Sequence, residues 1–444
     1  MTTATGYASA HPAGLEQELA ERLRTVVSGR LLAHTQEAEA DGRVLTPAQH
    51  RAAGERLLGK ALERLTAERL RAGLPVLDRQ AETRLVRAVH DTLFGLGGLQ
   101  RLLDDDQVEN IDANGCDTVF VRYADGRKEQ AAPIAASDEE LVQLIRTLAA
   151  RGGTEERRFD RAVPRLNLQL PDGSRMFAVM AVSGRVSLSV RRHRHPRATL
   201  RELRRLEVFG PEVEELLRAL VLARKNIIVA GGTNMGKTTL LRALASEIPP
   251  HERLVTIEDT YELGLHLDGL HPDVVPMQAR EANIEGEGAI DQAELVRWGL
   301  RMAPDRVIVG EIRGAEVVPM CNAMSQGNDG SLSTIHASTS RGVFTKLAAY
   351  AVQAPERLSL EATNLLVASA VHFVVHLARD AQGRRAVSSI REIVDADGAQ
   401  LVSNEVYRPG PDRRAEAAYP LRAQTLEDLA AAGYRPPVQG GWDA

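Results

Sequence analysis

Nine residues, GGTNMGKTT from Gly231 to Thr239, lie between the apolar run NIIVA and a leucine-rich helical pattern. They fit G-x-x-x-x-G-K-[ST], the spacing that wraps a triphosphate in backbone N–H groups at a helix N-terminus, where the helix dipole favours anions. Gly231 and Gly236 permit the tight path, and Gly232, Thr233, Asn234, Met235 and Thr239 complete the nucleotide-binding loop. Lys237 is placed to reach the β- and γ-phosphates, and Thr238 to hold Mg²⁺ through its hydroxyl, so the expected cofactor is Mg²⁺ with ATP. Lysine occurs elsewhere only at 60, 128, 225 and 346, which makes a chance lysine here hard to accept.

Two acidic strand ends follow. LVTIED delivers Glu258 and Asp259, and RVIVGE delivers Glu311. In a parallel sheet the C-terminal strand ends line the same crevice as the phosphate loop, where a carboxylate orients Mg²⁺ or takes a proton from the attacking water. The competing reading is that these acids cap helices or pair with Arg313. The segment NDGSLSTIHAS places His336 beyond a serine-rich strand, where it could sense the γ-phosphate. Phosphoryl transfer also gains from positive charge at the γ-phosphate. Arg175 and Arg191 precede the core, and Arg280, Arg297 and Arg301 lie within it. With arginine this frequent, density alone selects none of them.

The elements that must position these residues form several textures. Residues 1–95 carry leucines at helical spacing, with a helix start at Thr46-Pro47 and an end at Ala72–Pro75. Residues 96–197 alternate short strands with turns and include a helix from Asp138 to Ala150, the pattern of a compact α+β domain. A cation-dense linker covers 198–210. Residues 211–410 alternate helix and strand, which predicts an α/β domain with a parallel sheet covered on both faces. The tail, 411–444, reads as irregular.

Of the 444 residues, 43% are hydrophobic and 26% charged, a balance that allows an ample core. With 55 basic and 60 acidic residues, net charge implies neither a nucleic-acid nor a membrane partner. The basic stretch Arg191–Arg205 has no interleaved aromatic, which weakens a single-strand reading, and no direct nucleic-acid contact is expected. Cys116 and Cys321 are too far apart in sequence for a paired metal motif, and buried thiols in a reducing compartment are expected. No signal peptide is visible. The longest uncharged run, Ala362–Ala378, is too short to span a membrane and reads as a helix end followed by a strand. A cytoplasmic protein is expected.

Taken in order, these motifs resemble the type II/IV secretion ATPase family, and within it the CpaF-like pilus-assembly branch. The resemblance covers about Asp105 to Val394. It rests on VENIDANG, LPDGSR, SLSVRR, the phosphate loop, TIEDTYEL, QAREANIEGEGAI, LVRWGLRMAPDRVIVGEIRG and GSLSTIHAS. It implies a RecA-like ATPase domain with a PAS-like N-terminal domain, ATP bound between the two, and a homo-hexameric ring. Such rings drive filament assembly or secretion through a membrane platform protein, which would keep this chain peripheral to the inner membrane. Carried onto these residues, Glu311 is the Walker B acid, Glu258 belongs to the acidic box, His336 to the histidine box, and Arg175 and Arg191 approach the γ-phosphate. Departures occur at Asn234 and Met235, where the family has Gly-Ser, and at Asn328, where a histidine would supply a phosphate-side contact. A DNA-translocating RecA-like ATPase and a slow-turnover nucleotide-gated ring are the alternatives. The absence of N-K-x-D argues against a GTPase, and two distant cysteines exclude a four-cysteine zinc module.

Overall fold

The computed structural model describes residues 12–40, 46–151, 158–170, 172–192, 198–280, 282, 287–398 and 400–435. Both chain ends, part of the expected linker approach (193–197) and part of the QAREANIEGEGAI segment lie outside the described residues. The contacts divide the chain after Arg192 into two units.

The first unit opens with three helices, α1 (Pro12–Ala40), α2 (Pro47–Arg71) and α3 (Arg79–Phe94). Thr46 caps α2 with a capping box: its hydroxyl accepts from Gln49 N while the Gln49 side chain accepts from Thr46 N. Such a cap stabilises a helix by about 1 kcal/mol. The helix ends where expected, with Gly73 in the left-handed region and Leu74 N donating to Arg69 O. Leu19, Leu23, Val27, Leu58, Ala61, Leu65, Leu85 and Val89 form the core of this bundle.

After a short helix, α4 (Leu99–Leu103), the chain builds β1 (Val108–Asn114), β2 (Val119–Tyr123), β3 (Lys128–Ala131), α5 (Asp138–Arg151), β4 (Arg165–Gln169), β5 (Arg175–Val179) and β6 (Ser187–Arg191). The strands form an antiparallel sheet in the order β3-β2-β1-β6-β5-β4. Strand side chains alternate faces. One parity (Ile111, Val119, Val121, Met176, Ala178, Leu188, Val190) buries in the same core as Leu141 and Ile145 of α5. The expected α+β organisation is present.

The second unit begins with α6 (Leu200–Arg205) and α7 (Pro211–Leu222). The α/β alternation follows as β7 (Ile227–Gly231), α8 (Lys237–Ala245), β8 (Leu254–Glu258), β9 (Val274–Gln278), α9 (Gln292–Gly299), β10 (Arg306–Ile312), α10 (Val317–Ser325), β11 (Leu332–His336), α11 (Gly342–Gln353) and α12 (Leu360–Ala370). It closes with β12 (Phe373–Arg379), β13 (Arg385–Asp397), β14 (Gln400–Pro409), β15 (Ala415–Ala417) and α13 (Ala423–Ala431). The sheet runs β15-β14-β13-β12-β7-β11-β10-β8-β9. In β7, Ile227 and Val229 enter one core while Ile228 and Ala230 enter the other, so both faces are covered. This is the α/β core expected for a RecA-like ATPase.

Three expectations need correction. The sheet is parallel only from β12 to β9, and β13 to β15 extend it antiparallel. The expected linker 198–210 contains α6, whose Leu200 and Leu203, with Phe209, are buried in the second unit's core, so it is a packed part of that unit. The expected irregular tail carries β15 and α13, because Leu421, Leu429 and Tyr434 bury in that same core.

The N-terminal ends of the strands are fixed by polar groups. Arg306 is fully buried and makes a two-pronged pair with Glu252, at 2.7 Å on each prong. Its Nη1 donates to Val221 O at 2.9 Å and to Gly330 O at 3.3 Å. Asn226, also fully buried, donates to Met324 O and Ala370 O and accepts from Gly330 N and Ser331 N. A buried charge without partners would be costly, and here an ion pair and four hydrogen bonds hold the Arg306 guanidinium.

Candidate active site

The sequence-predicted loop leaves β7 at Gly231 and enters α8 at Lys237. A Cβ on Gly231 would meet Leu377 O at 2.8 Å, so only glycine fits. Gly236 lies in the left-handed region at φ 91°. Asn234 lies there too, at φ 63°, and asparagine tolerates that region better than most residues. The departure from Gly-Ser is thus compatible with the turn.

Strand register aligns the remaining candidates. His336, the last residue of β11, pairs with Gly231, and Leu377 of β12 flanks Gly231 on the other side. Glu311 lies near the C-terminal end of β10 and Glu258 at that of β8, with Ile257 paired to Val309. A Cβ on Gly310 would press Glu258 Cγ at 3.2 Å, which brings the two strand ends close together.

Lys237 Nζ donates to Gly232 O at 3.1 Å and lies 3.2 Å from His336 Nδ1. His336 Nε2 lies 2.7 Å from Glu311 Oε1. Arg313 donates twice to Glu311 Oε2, at 2.6 and 2.9 Å, and once to Asp259 at 3.3 Å. Lys237, His336, Glu311, Arg313 and Asp259 are therefore linked in one chain of polar contacts. The pairing of an acid with Arg313, one of the two readings of the sequence, is present.

The two glutamates have opposite electrostatics. Burial pushes the Glu311 carboxyl up, but His336 and Arg313 outweigh it and hold the group at about 2. Burial dominates at Glu258, which is 2% exposed, and pushes it up to about 7 despite hydrogen bonds from Glu262 N and Leu263 N. Its Oε1 takes both of those bonds at 2.8 Å, and its buried Oε2 has no partner among the described residues. One carboxylate stays ionised across the working range and the other titrates near neutrality, the separation that distinguishes acid and base roles.

Sequence reasoning missed Glu262. It falls within TIEDTYEL, four residues after Glu258, and Thr238 Oγ1 lies 3.4 Å from its Oε2. A hydroxyl and a carboxylate side by side, with the buried Glu258 nearby, are the hard oxygen donors that suit Mg²⁺. The turn that folds Glu262 back onto Glu258 was the missing information.

The remaining candidates belong to other segments. Asn328 precedes β11, at the opposite end of that strand from His336, and donates to Pro304 O at 2.6 Å. The phosphate-side contact considered there is therefore corrected: the strand carries residue 328 away from the loop. Arg297 pairs with Glu356 at 2.9 Å, Arg280 donates to Gly288 O at 2.7 Å, and Arg301 follows α9 in a turn. Arg175 and Arg191 belong to the first unit, directly opposite one another on β5 and β6.

The model of the type II/IV secretion system protein family matches residues 93–416. A putative conjugal transfer protein of Mycobacterium tuberculosis is 36% identical over 323 residues, covering 70% of this chain and 88% of that protein. The type IV secretion system protein PtlH of Bordetella pertussis is 39% identical over 188 residues, 41% of this chain and 52% of that protein. The solved VirB11 ATPase of Brucella suis, in complex with sulphate, is 29% identical with a TM-score of 0.36, covering 68% of this chain and 97% of that one. With the phosphate loop, the acidic strand ends and the family match together, the chain belongs to the type II/IV secretion system protein family and is an ATP-hydrolysing enzyme.

Proposed function

We propose that the chain works as a homo-hexameric motor of the CpaF-like branch, converting ATP hydrolysis into pilus-filament assembly or protein secretion. It would act at the cytoplasmic face of the inner membrane through a membrane platform protein. No described helix is long and apolar enough to cross a membrane. The observation that carries the reading is the contact chain from Lys237 through His336 to Glu311, set across α8, β11 and β10 beside the phosphate loop.

The loop from Gly231 to Thr239 encloses the phosphates, with Lys237 against their charge. Thr238 and Glu262 hold Mg²⁺, which when bound neutralises phosphate charge. Glu311, ionised throughout, aligns the attacking water by accepting its hydrogen bond, and Glu258 is the carboxyl able to exchange a proton near neutral pH. His336 lies against both Lys237 and Glu311 and so responds to the γ-phosphate. Arg175 and Arg191, as the family resemblance implies, would add positive charge toward the γ-phosphate.

Phosphate release by the purified chain, by Lys237→Ala and by Glu311→Gln tests the enzyme reading. Both variants should be slowed by about 100-fold or more, the scale of a lost catalytic group. A wild type no faster than Glu311→Gln refutes it. Mass measurement with and without a non-hydrolysable ATP analogue tests the ring, and a monomer in both states refutes the motor.

A further inference from the structure

The open face of the first unit's sheet carries a row of side chains that the reaction does not use in full. Register aligns Gln169, Arg175, Arg191, Asn110, Arg122 and Lys128 on one rung across all six strands. At about 4.8 Å per strand step, Arg175 and Lys128 are about 19 Å apart. Arg122 and Lys128 lie two and three strand steps beyond Arg191 and have no part in the proposed reaction. Among the described residues no carboxylate pairs with Arg122 or Lys128.

The adjacent rung supplies aromatics. Phe177 on β5 and Phe120 on β2 share it with Ser189 and Asp112, three strand steps apart. Phe177 is 44% exposed, an unusual place for a large apolar ring. Lys128 Nζ sits 4.6 Å from the centre of the Phe120 ring. Asp112 accepts from Ser189 Oγ at 2.8 Å. Cations that track a backbone, interleaved with rings on which bases stack, form the platform by which open sheets take single strands. The linear stretch Arg191–Arg205 lacks interleaved aromatics, and the cross-strand register provides them.

We propose that this face binds single-stranded nucleic acid, with Arg122 and Lys128 on phosphates and Phe177 and Phe120 under bases. A bilayer surface also attracts cations, but alternating cationic and aromatic rungs on a flat sheet suit stacked bases better. This proposal rests on the reading that Arg175 and Arg191 serve ATP, and a titration without ATP is read apart from the motor.

Fluorescence anisotropy of a labelled oligodeoxythymidylate of about 20 nucleotides, titrated with the full chain without ATP, tests this. Saturable binding is expected, weakening linearly in log–log form with salt. Arg122→Ala/Lys128→Ala should reduce the magnitude of that slope by about 1.4, at about 0.7 per phosphate contact, while phosphate release from ATP is unchanged. Phe177→Ala should weaken binding about 5- to 150-fold through lost stacking. The proposal is overturned by no binding at about 100 µM protein in about 50 mM salt. An unchanged slope in the double variant overturns it too, since other cations would then carry the binding. So does sedimentation with phosphatidylserine vesicles that the double variant weakens while the oligonucleotide stays unbound.

Discussion

Replacing Glu258 by Gln isolates the cost of ionising a buried carboxyl. The group stands at about 7 in the folded chain against 4.5 when solvated. That difference corresponds to about 3 kcal/mol, from 1.36 kcal/mol for each tenfold change in proton affinity. Below pH 4.5 both states are protonated, and the variant differs from wild type by a constant. As pH rises, the unfolded carboxyl ionises first and the folded one resists until about 7, so this part of wild-type stability is lost across that window. Gln keeps an oxygen for Glu262 N and Leu263 N and carries no charge. Urea unfolding followed by tryptophan fluorescence reads the second unit through Trp298, which lies on α9. Between pH 5 and pH 8 the variant should gain about 2–3 kcal/mol relative to wild type. A difference that stays level across that range would mean Glu258 ionises freely, and the electrostatic account of the site would fail.

Other substitutions probe neighbouring parts. Glu311 is held down at about 2, so the stability it adds is present above pH 4.5 and is lost as pH falls toward 2. Glu311→Gln should remove that acid-side loss in pH-dependent unfolding. Glu252→Ala strands the buried Arg306 guanidinium and should cost about 3–5 kcal/mol, whereas Glu252→Leu/Arg306→Met should cost far less, as urea midpoints would show. Asn234→Val forces a branched side chain into the left-handed region and should lower stability by about 1–2 kcal/mol, while Asn234→Gly should not, by thermal unfolding.

The parts legible in sequence were those set by local chemistry. The phosphate loop announces itself because Gly231 and Gly236 answer backbone demands and Lys237 a charge demand. The apolar runs ending in Glu258 and Glu311 read as strands because each is short and β-branched. Long-range placement was hidden. Glu262 gains its meaning only when the turn after β8 folds back on Glu258. The antiparallel β13–β15 lack the helix-strand alternation that marks the core. The arginine- and alanine-rich composition around α13 masks the few residues, Leu429 among them, that anchor it. The phenylalanines on the first unit's open face come from distant strands, so no linear window shows them beside the cations.

The arrangement of Lys237 also bears on nucleotide capture. Its ammonium is already steered by the Gly232 carbonyl and the His336 imidazole. An arriving triphosphate therefore meets a cation whose rotamer is nearly fixed, and loses little side-chain entropy in engaging it. The same steering means that phosphate must draw the lysine off the imidazole, which frees His336 to turn wholly toward Glu311. Capture at the start of α8 would thereby re-aim a side chain at the end of β11 without moving the backbone of either.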